Sequence, residues 1–396
     1  MSARYTYSYV SLYFVPYVHW AIKHALKKEI KCLYFISRDG HFLKKIADEI
    51  IQTRNYNIKT KYIYGSRKAW RIPSFITKID NEFFGPFGNF TKLKNFNMLL
   101  QAADIDEATF DEIFPELEYL KTKENYKKAD LDVIKQSLKN SEKYHETLLK
   151  VAADERKIVL EYLKQEIDIN EKFAFIEYWG RGYTQDCLTR LLTELNQGEL
   201  DNPFYYVRSI YPTMGNSIRY NFTSDNTSLI FIEAIFANLP YRSIEKYEYK
   251  DGKFEAVKRP CENDIEIYEA FEEYLPKFSK DFCEIHFLNE DAIERSLFDF
   301  SLKYFKENVD DEVIVNNIAH LKDSVELHGK VGEYAPKITA NTLVKRFQGE
   351  KVATRSMDMS LARSKKIYSF MYYFYHNRIL KTKAGKKFKR YLDSKR

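Results

Sequence analysis

Proline and glycine are sparse in this chain, with 10 Pro and 13 Gly among 396 residues. That scarcity argues against long disordered linkers and low-complexity arms. Cysteine is scarcer still. Cys32, Cys187, Cys261 and Cys283 are scattered, with no C-x-x-C pair and no metal-ligand spacing to histidine. Free thiols in a reducing compartment are therefore expected. A long uncharged apolar run is also missing. Tyr5 to Ile22 has no charged side chain, but it carries five tyrosines, Pro16 and His19. It is too polar for a membrane span and reads as a buried or interfacial helix. No charged n-region with an apolar core and a small-residue cleavage site opens the chain, so export is not expected.

What is present is a core-forming composition, 44% hydrophobic and 30% charged, with an aromatic share of 16% from 31 Tyr and 29 Phe. So many rings suit broad ring-lined surfaces, whether for sugars, a membrane interface or packing. The length allows two or three domains, or one α/β domain with large additions. The net charge of +6 is unevenly spread. Arg363 to Arg396 holds twelve Lys/Arg against Asp393 alone, a local +11 that leaves −5 for everything before it.

Cys32-Leu-Tyr-Phe-Ile-Ser-Arg-Asp-Gly-His reads as a buried strand entering a sharp polar turn. Leu33 to Ile36 favour a strand, and Ser37, Arg38, Asp39 and Gly40 break the pattern, with Gly40 free to take a positive φ. Phe42, Leu43, Ile46, Ala47 and Ile50 then recur at helical spacing. A strand feeding a helix through such a turn aims backbone N–H groups at one point, which suits an anion, and Arg38 adds a forked cation. The bland alternative is an ordinary turn with a solvated Arg-Asp pair.

Phe173 to Leu192 repeats the arrangement. An apolar strand (Phe173 to Ile176) ends in Glu177-Tyr-Trp-Gly-Arg-Gly-Tyr-Thr184, and a helix follows with Cys187, Leu188, Leu191 and Leu192 on its buried face. Glu177 falls at the strand's carboxyl end, where open α/β sheets gather ligand groups. Gly180 and Gly182 let a phosphate approach the backbone, and Thr184 suits a helix cap and a phosphate oxygen. Between the two units, Lys61 to Gly65 reads as a strand. Ser66-Arg67-Lys68-Ala69-Trp70-Arg71 reads as a basic loop or helix start, suited to a phosphate or a sugar ring.

Elsewhere, Val10 to Lys28 reads as a helix broken or bent near Pro16, and Asn95 to Gln165 as mostly helical. Gly85 to Asn89 reads as a turn-rich break. Asp130-Leu-Asp-Val superficially matches the nucleophile motif of haloacid-dehalogenase phosphatases, but the polar stretch before it is no strand, and the match is rejected. His145 reads as a surface residue. Phe204 to Val207 is a further strand, Leu229 to Phe236 an apolar helix carrying Glu233, and Asp251-Gly252 a hairpin turn. Asp264 to Asn308 and Glu312 to Leu327 read as helices, and His286, His320 and His328 lack metal spacing. From Lys365 the tail interleaves cations with aromatics and ends in the basic run Lys381 to Arg390. That chemistry suits an anionic membrane surface; nucleic acid is not the expected partner.

The turn Ser37-Arg38-Asp39-Gly40 resembles the pyrophosphate loop of type I phosphoribosyltransferases. Ile176 to Thr184 is similar in placement to their loop for phosphoribosyl pyrophosphate, although Glu177 is followed by Tyr178 where that family has two adjacent acids. The order of elements more closely resembles a group of bacterial polysaccharide-locus proteins that form ribofuranose and are often labelled haloacid-dehalogenase hydrolases. The resemblance lies in Phe35 to Gly40, Tyr62 to Arg67, Glu177 to Gln185 and Leu229 to Pro240.

The expected architecture is α/β, a Rossmann-like, mostly parallel sheet of phosphoribosyltransferase type. Residues 1–90 and 168–260 would form the core, 91–167 a helical insertion, and 261–396 a helical C-terminal region with a basic aromatic tail. The resemblance implies a glycosyltransferase moving 5-phosphoribosyl to a hydroxyl of an oligosaccharide or polyprenyl-linked glycan. It also implies Mg²⁺ at Glu177, a separate phosphatase for the product, and a cytoplasmic, peripheral position at the inner membrane face. Asp39, Arg38 and His41 are the expected catalytic residues, Asp39 the base with His41 second. Ser37, Gly40, Arg67, Lys68, Glu177, Gly180, Arg181, Gly182, Tyr183 and Thr184 are expected to bind substrate. The rival readings are a sugar phosphate hydrolase and a non-catalytic membrane scaffold.

Overall fold

The computed structural model describes residues 2–91, 93–209, 218–224, 230–236, 241–260, 265–322, 332–348, 352–376 and 382. Nine strands are present among them. They are β1 Cys32–Ile36, β2 Lys59–Ile63, β3 Phe173–Ile176, β4 Trp179–Gly180, β5 Phe204–Tyr206, β6 Arg208–Ser209, β7 Arg219–Asn221, β8 Tyr241–Lys250 and β9 Lys253–Pro260. Five of them form one sheet in the order β2-β1-β3-β5-β7, every pair parallel. The expected α/β class with a mostly parallel sheet is what the chain adopts.

Alternation along the strands divides the sheet into two faces. Leu33, Phe35, Ala174, Ile176 and Tyr205 enter one core, under the helices Ser11–Lys27, Asp39–Arg54, Ile230–Phe236, Ile265–Glu284 and Glu290–Glu307. Cys32, Tyr34, Ile36, Phe173, Phe175, Phe204 and Tyr206 enter the other. That face is covered by the end of helix Glu142–Glu166, by helix Tyr183–Asn196, by Trp70 and by the β8–β9 hairpin. The edge strand β2 presents Lys59 and Lys61 outward, a charged edge that discourages further pairing.

Tyr5 to Ile22 is a buried element. Helix Ser11–Lys27 runs unbroken through Pro16, preceded by a wider π-turn at Thr6–Val10, so the expected break is absent. Its tyrosines tie it to the sheet: the Tyr17 hydroxyl lies 2.8 Å from the carbonyls of both Glu177 and Tyr205, and Tyr178 donates to the Tyr13 carbonyl at 2.7 Å. Much of the aromatic excess is therefore packing. A third apolar cluster, from Ile72 to Ala152, gives the helical insertion its own core. A small fourth one joins Ile338, Leu343, Leu361 and Tyr372.

Other expectations shift in detail. The second strand is Lys59–Ile63 rather than Lys61–Gly65. Asp264 to Asn308 divides into two helices, and the helix expected over Glu312 to Leu327 is Glu312–Ile318, with 323–330 outside the described residues. Asp130 is a helix N-terminal residue held by Lys123, as its polar context implied. His145 is half-buried against Phe84 and Tyr144 rather than on the surface. Cys32, Cys187 and Cys283 are free and buried, while Cys261, His328 and most of Lys381 to Arg390 fall outside the described residues.

Candidate functional site

The strand order places β1 and β3 side by side, with the chain departing to opposite edges from that pair. This is the switch point at which open parallel sheets form a crevice beyond their carboxyl ends. Asp39 follows β1 there, and Glu177 follows β3. Beyond Glu177 the pairing resumes as β4 with β6, so the carboxylate sits at a break between two ladders.

The first turn is tightly held. Ser37 Oγ donates to the Gly65 carbonyl at 2.5 Å and accepts the Gly65 N–H at 3.0 Å, tying the ends of β1 and β2 together. The chain reverses at Arg38, with φ 71° and ψ −88°, a conformation an L-residue seldom adopts. Positive φ had been expected at Gly40, which does not adopt it. Gly40 is required instead by packing, since a Cβ there would lie 2.6 Å from the Phe35 carbonyl carbon. The backbone N–H groups of Asp39 itself and of Tyr178 lie near the Asp39 carboxylate and favour its charged form, which places it between the first turn and the second.

The second turn reverses at Gly182, with φ +80°, and a side chain there would collide with the guanidinium of Arg219. Gly182 is also the N-cap of helix Tyr183–Asn196, so Thr184 lies inside the first turn and is not the cap. Arg219 pairs with Asp186 at 2.6 Å and donates to Gln185 at 2.9 Å, forming the polar floor of the turn. The Tyr183 hydroxyl is engaged by Asp80 at about 3 Å, and its ring stacks on Phe87 at 4.4 Å.

Phe87 is the unforeseen centre of this wall. The guanidinium of Arg67 lies 5.5 Å from its ring centroid and that of Arg181 lies 4.9 Å away, while Arg71 donates to its carbonyl at 2.6 Å. A turn read from sequence as a mere break thus gathers three arginines. The signal for it was an aromatic inside a Gly-Pro turn, which is weak.

The electrostatics are those of a crevice. Arg67 is exposed, yet the surrounding protein and the charges of Arg71 and Arg38 hold its pKa below the ordinary arginine value. Asp39 and Glu177 are half-exposed but crowded. Burial pushes Asp39 up to about 6, with Arg38 opposing and Glu233 adding to the rise. Burial, then the charge of Asp39, pushes Glu177 up to about 8. Glu177 Oε2 is buried without a hydrogen-bond partner. Two crowded carboxylates, one with an orphaned oxygen, form the hard-oxygen donor set that suits Mg²⁺. Glu233 sits half-buried on an otherwise buried helix and acts on Asp39, a proximity hidden in sequence.

Two expected site residues are drawn elsewhere. His41 Nε2 lies 2.8 Å from Glu272 and 3.2 Å from the Tyr268 hydroxyl, facing helix Ile265–Glu284, and burial lowers its pKa. Lys68 pairs with Glu245 of the hairpin at 3.1 Å.

His19, Glu290 and Glu294 also bring ligand atoms within 4.8 Å of one another. Lys23 Nζ already lies 3.1 Å from both glutamates and 2.7 Å from Asp291, so an ammonium fills the cation position. The group fastens the N-terminal helix to Glu290–Glu307.

The site defines an α/β protein with a cation-lined, carboxylate-bearing crevice at a topological switch point. Compared with known proteins, the chain matches no family model and no curated sequence. Function is read from the geometry.

Proposed function

We propose that the chain is a phosphoribosyltransferase-type glycosyltransferase. It would move 5-phosphoribosyl from phosphoribosyl pyrophosphate to a hydroxyl of a lipid-linked surface glycan, releasing pyrophosphate. The observation that carries this reading is the pairing of Asp39 and Glu177 at adjacent strand ends, walled by Arg38, Arg67 and Arg181. A donor with a pyrophosphate, two ribose hydroxyls and a 5-phosphate needs both kinds of charge in one crevice.

In this reading Arg38 and Arg67 bind the pyrophosphate and stabilise the charge it gains as the C1–O bond breaks. Arg181 and the first-turn N–H groups after Gly182 receive the 5-phosphate. Glu177 would hold Mg²⁺, which when bound would supply positive charge to the donor's phosphate and ribose oxygens. The acceptor oxygen bonds to C1 and gives its proton to Asp39, whose raised pKa suits a base near neutral pH. Ser37, Gly40 and Tyr183 shape the pocket through their own contacts. The product keeps its 5-phosphate, so a separate phosphatase would act next.

The basic tail fits a cytoplasmic protein working at the inner membrane face on a polyprenyl-linked acceptor. Among the described residues no helix is long and apolar enough to cross a membrane. The test is incubation with phosphoribosyl pyrophosphate, Mg²⁺ and an oligosaccharide acceptor. Transfer gives pyrophosphate and an acceptor heavier by one phosphoribosyl unit. Free phosphate would instead reveal a sugar phosphate hydrolase, and absence of donor binding would leave a scaffold.

A further inference from the structure

Helix Lys366–Phe374 has an unusual surface. Tyr372 and the following Tyr375 are buried and Tyr368 is half-buried, so one side is anchored to the small C-terminal cluster. The opposite side is apolar too. Ile367, Phe370, Met371 and Phe374 follow the i, i+3, i+4, i+7 spacing that shares one helix face, and all four are exposed, Phe370 by 65%. Tyr373 is exposed beside them, and Lys365 and Lys366 are exposed at the helix start. A solvent-facing stripe of this kind requires a cover.

We propose that this helix is a membrane-interfacial element, lying flat and inserting Ile367, Phe370, Met371 and Phe374 into an anionic bilayer surface. Charge selects this occupant. Arg363 to Arg396 carries +11, so a second copy or the chain's own last residues would bring like charges together over the stripe. An anionic bilayer accepts the apolar face and the cations together. The fixed inner side dictates the flat orientation, because Tyr372 and Tyr375 cannot leave the protein without exposing its cluster. The inference does not depend on the transferase reading.

The test is flotation of the full chain with phosphatidylcholine vesicles, with and without phosphatidylglycerol. The expected result is binding to the anionic vesicles that partly survives high salt. The double variant Phe370→Ser/Phe374→Ser should keep its circular dichroism and lose roughly a hundredfold in partitioning. Truncation after His376 keeps the stripe and its anchors, so it should weaken binding yet spare the salt-resistant part. A Phe370→Trp variant should be open to an aqueous quencher alone and become quenched by brominated lipid. Equal binding by the double variant, or a tryptophan already shielded before vesicles are added, would overturn the proposal.

Discussion

The turn after β1 reverses the chain at Arg38, whereas the turn after β3 reverses it at Gly182. Both deliver a helix N-terminus and a carboxylate to the same crevice, but by different means. In the first turn the strained position holds a side chain with a proposed role, and the neighbouring glycine serves packing against Phe35. In the second, glycine takes the unusual φ itself and leaves room for Arg219 beneath. Strain is concentrated where a guanidinium has to be aimed, and relieved where only backbone has to approach.

The contrast is broken most severely by Asp39→Asn. This keeps the side chain's size and polarity but removes the base, so transfer should fall about 10²- to 10⁴-fold while donor binding by calorimetry persists. Near-wild-type turnover would assign the base elsewhere. Gly40→Ala should destabilise by about 2–3 kcal/mol in urea titration, because backbone stands in its way. Gly182→Ala should cost less, about 1–2 kcal/mol, because the obstructing group is the far end of a side chain and the main penalty is the positive φ. The opposite order would mean that the second turn is the rigid one.

Arg38→Gly should do what few active-site substitutions do, raising stability by about 1 kcal/mol while weakening donor affinity. The smallest effect belongs to Glu177→Gln. Burial lifts the Glu177 carboxyl to about 8 from an ordinary 4.5, so between those values folding takes up a proton. Wild-type stability should therefore decline as pH rises through that window, and the Gln variant should lose that part of the decline. Its thermal midpoint should exceed wild type's by a few degrees at pH 8.5 and converge with it near pH 4. Added Mg²⁺ should close the gap at the higher pH by stabilising only the wild type.

The two strand-turn-helix units were legible because periodicity changes abruptly from two to 3.6 at Ser37 and at Glu177. Their adjacency was legible only as a class expectation. β7 was missed since Arg219-Tyr-Asn has no apolar run, and with it the arginine under Gly182. His41 and Lys68 look like site residues in sequence because their partners, Glu272 and Glu245, lie 231 and 177 residues away. Glu233 and Phe87 came to the crevice through packing of the same long range. Local pattern specifies elements; which charges meet is decided by topology.

The pairing of Cys32 with Phe173 joins segments about 140 residues apart. At a ribosome adding roughly 5–20 residues each second, β1 waits on the order of ten seconds for the strand that will cover its inner edge. Meanwhile β2 closes the other side, and the insertion, with Leu99, Phe110 and Leu148 in a cluster of its own, has time to fold separately. A sheet whose central pair is completed so late leaves an apolar edge exposed during synthesis. Expression yield should therefore depend on temperature and chaperone supply more steeply than the finished protein's stability does.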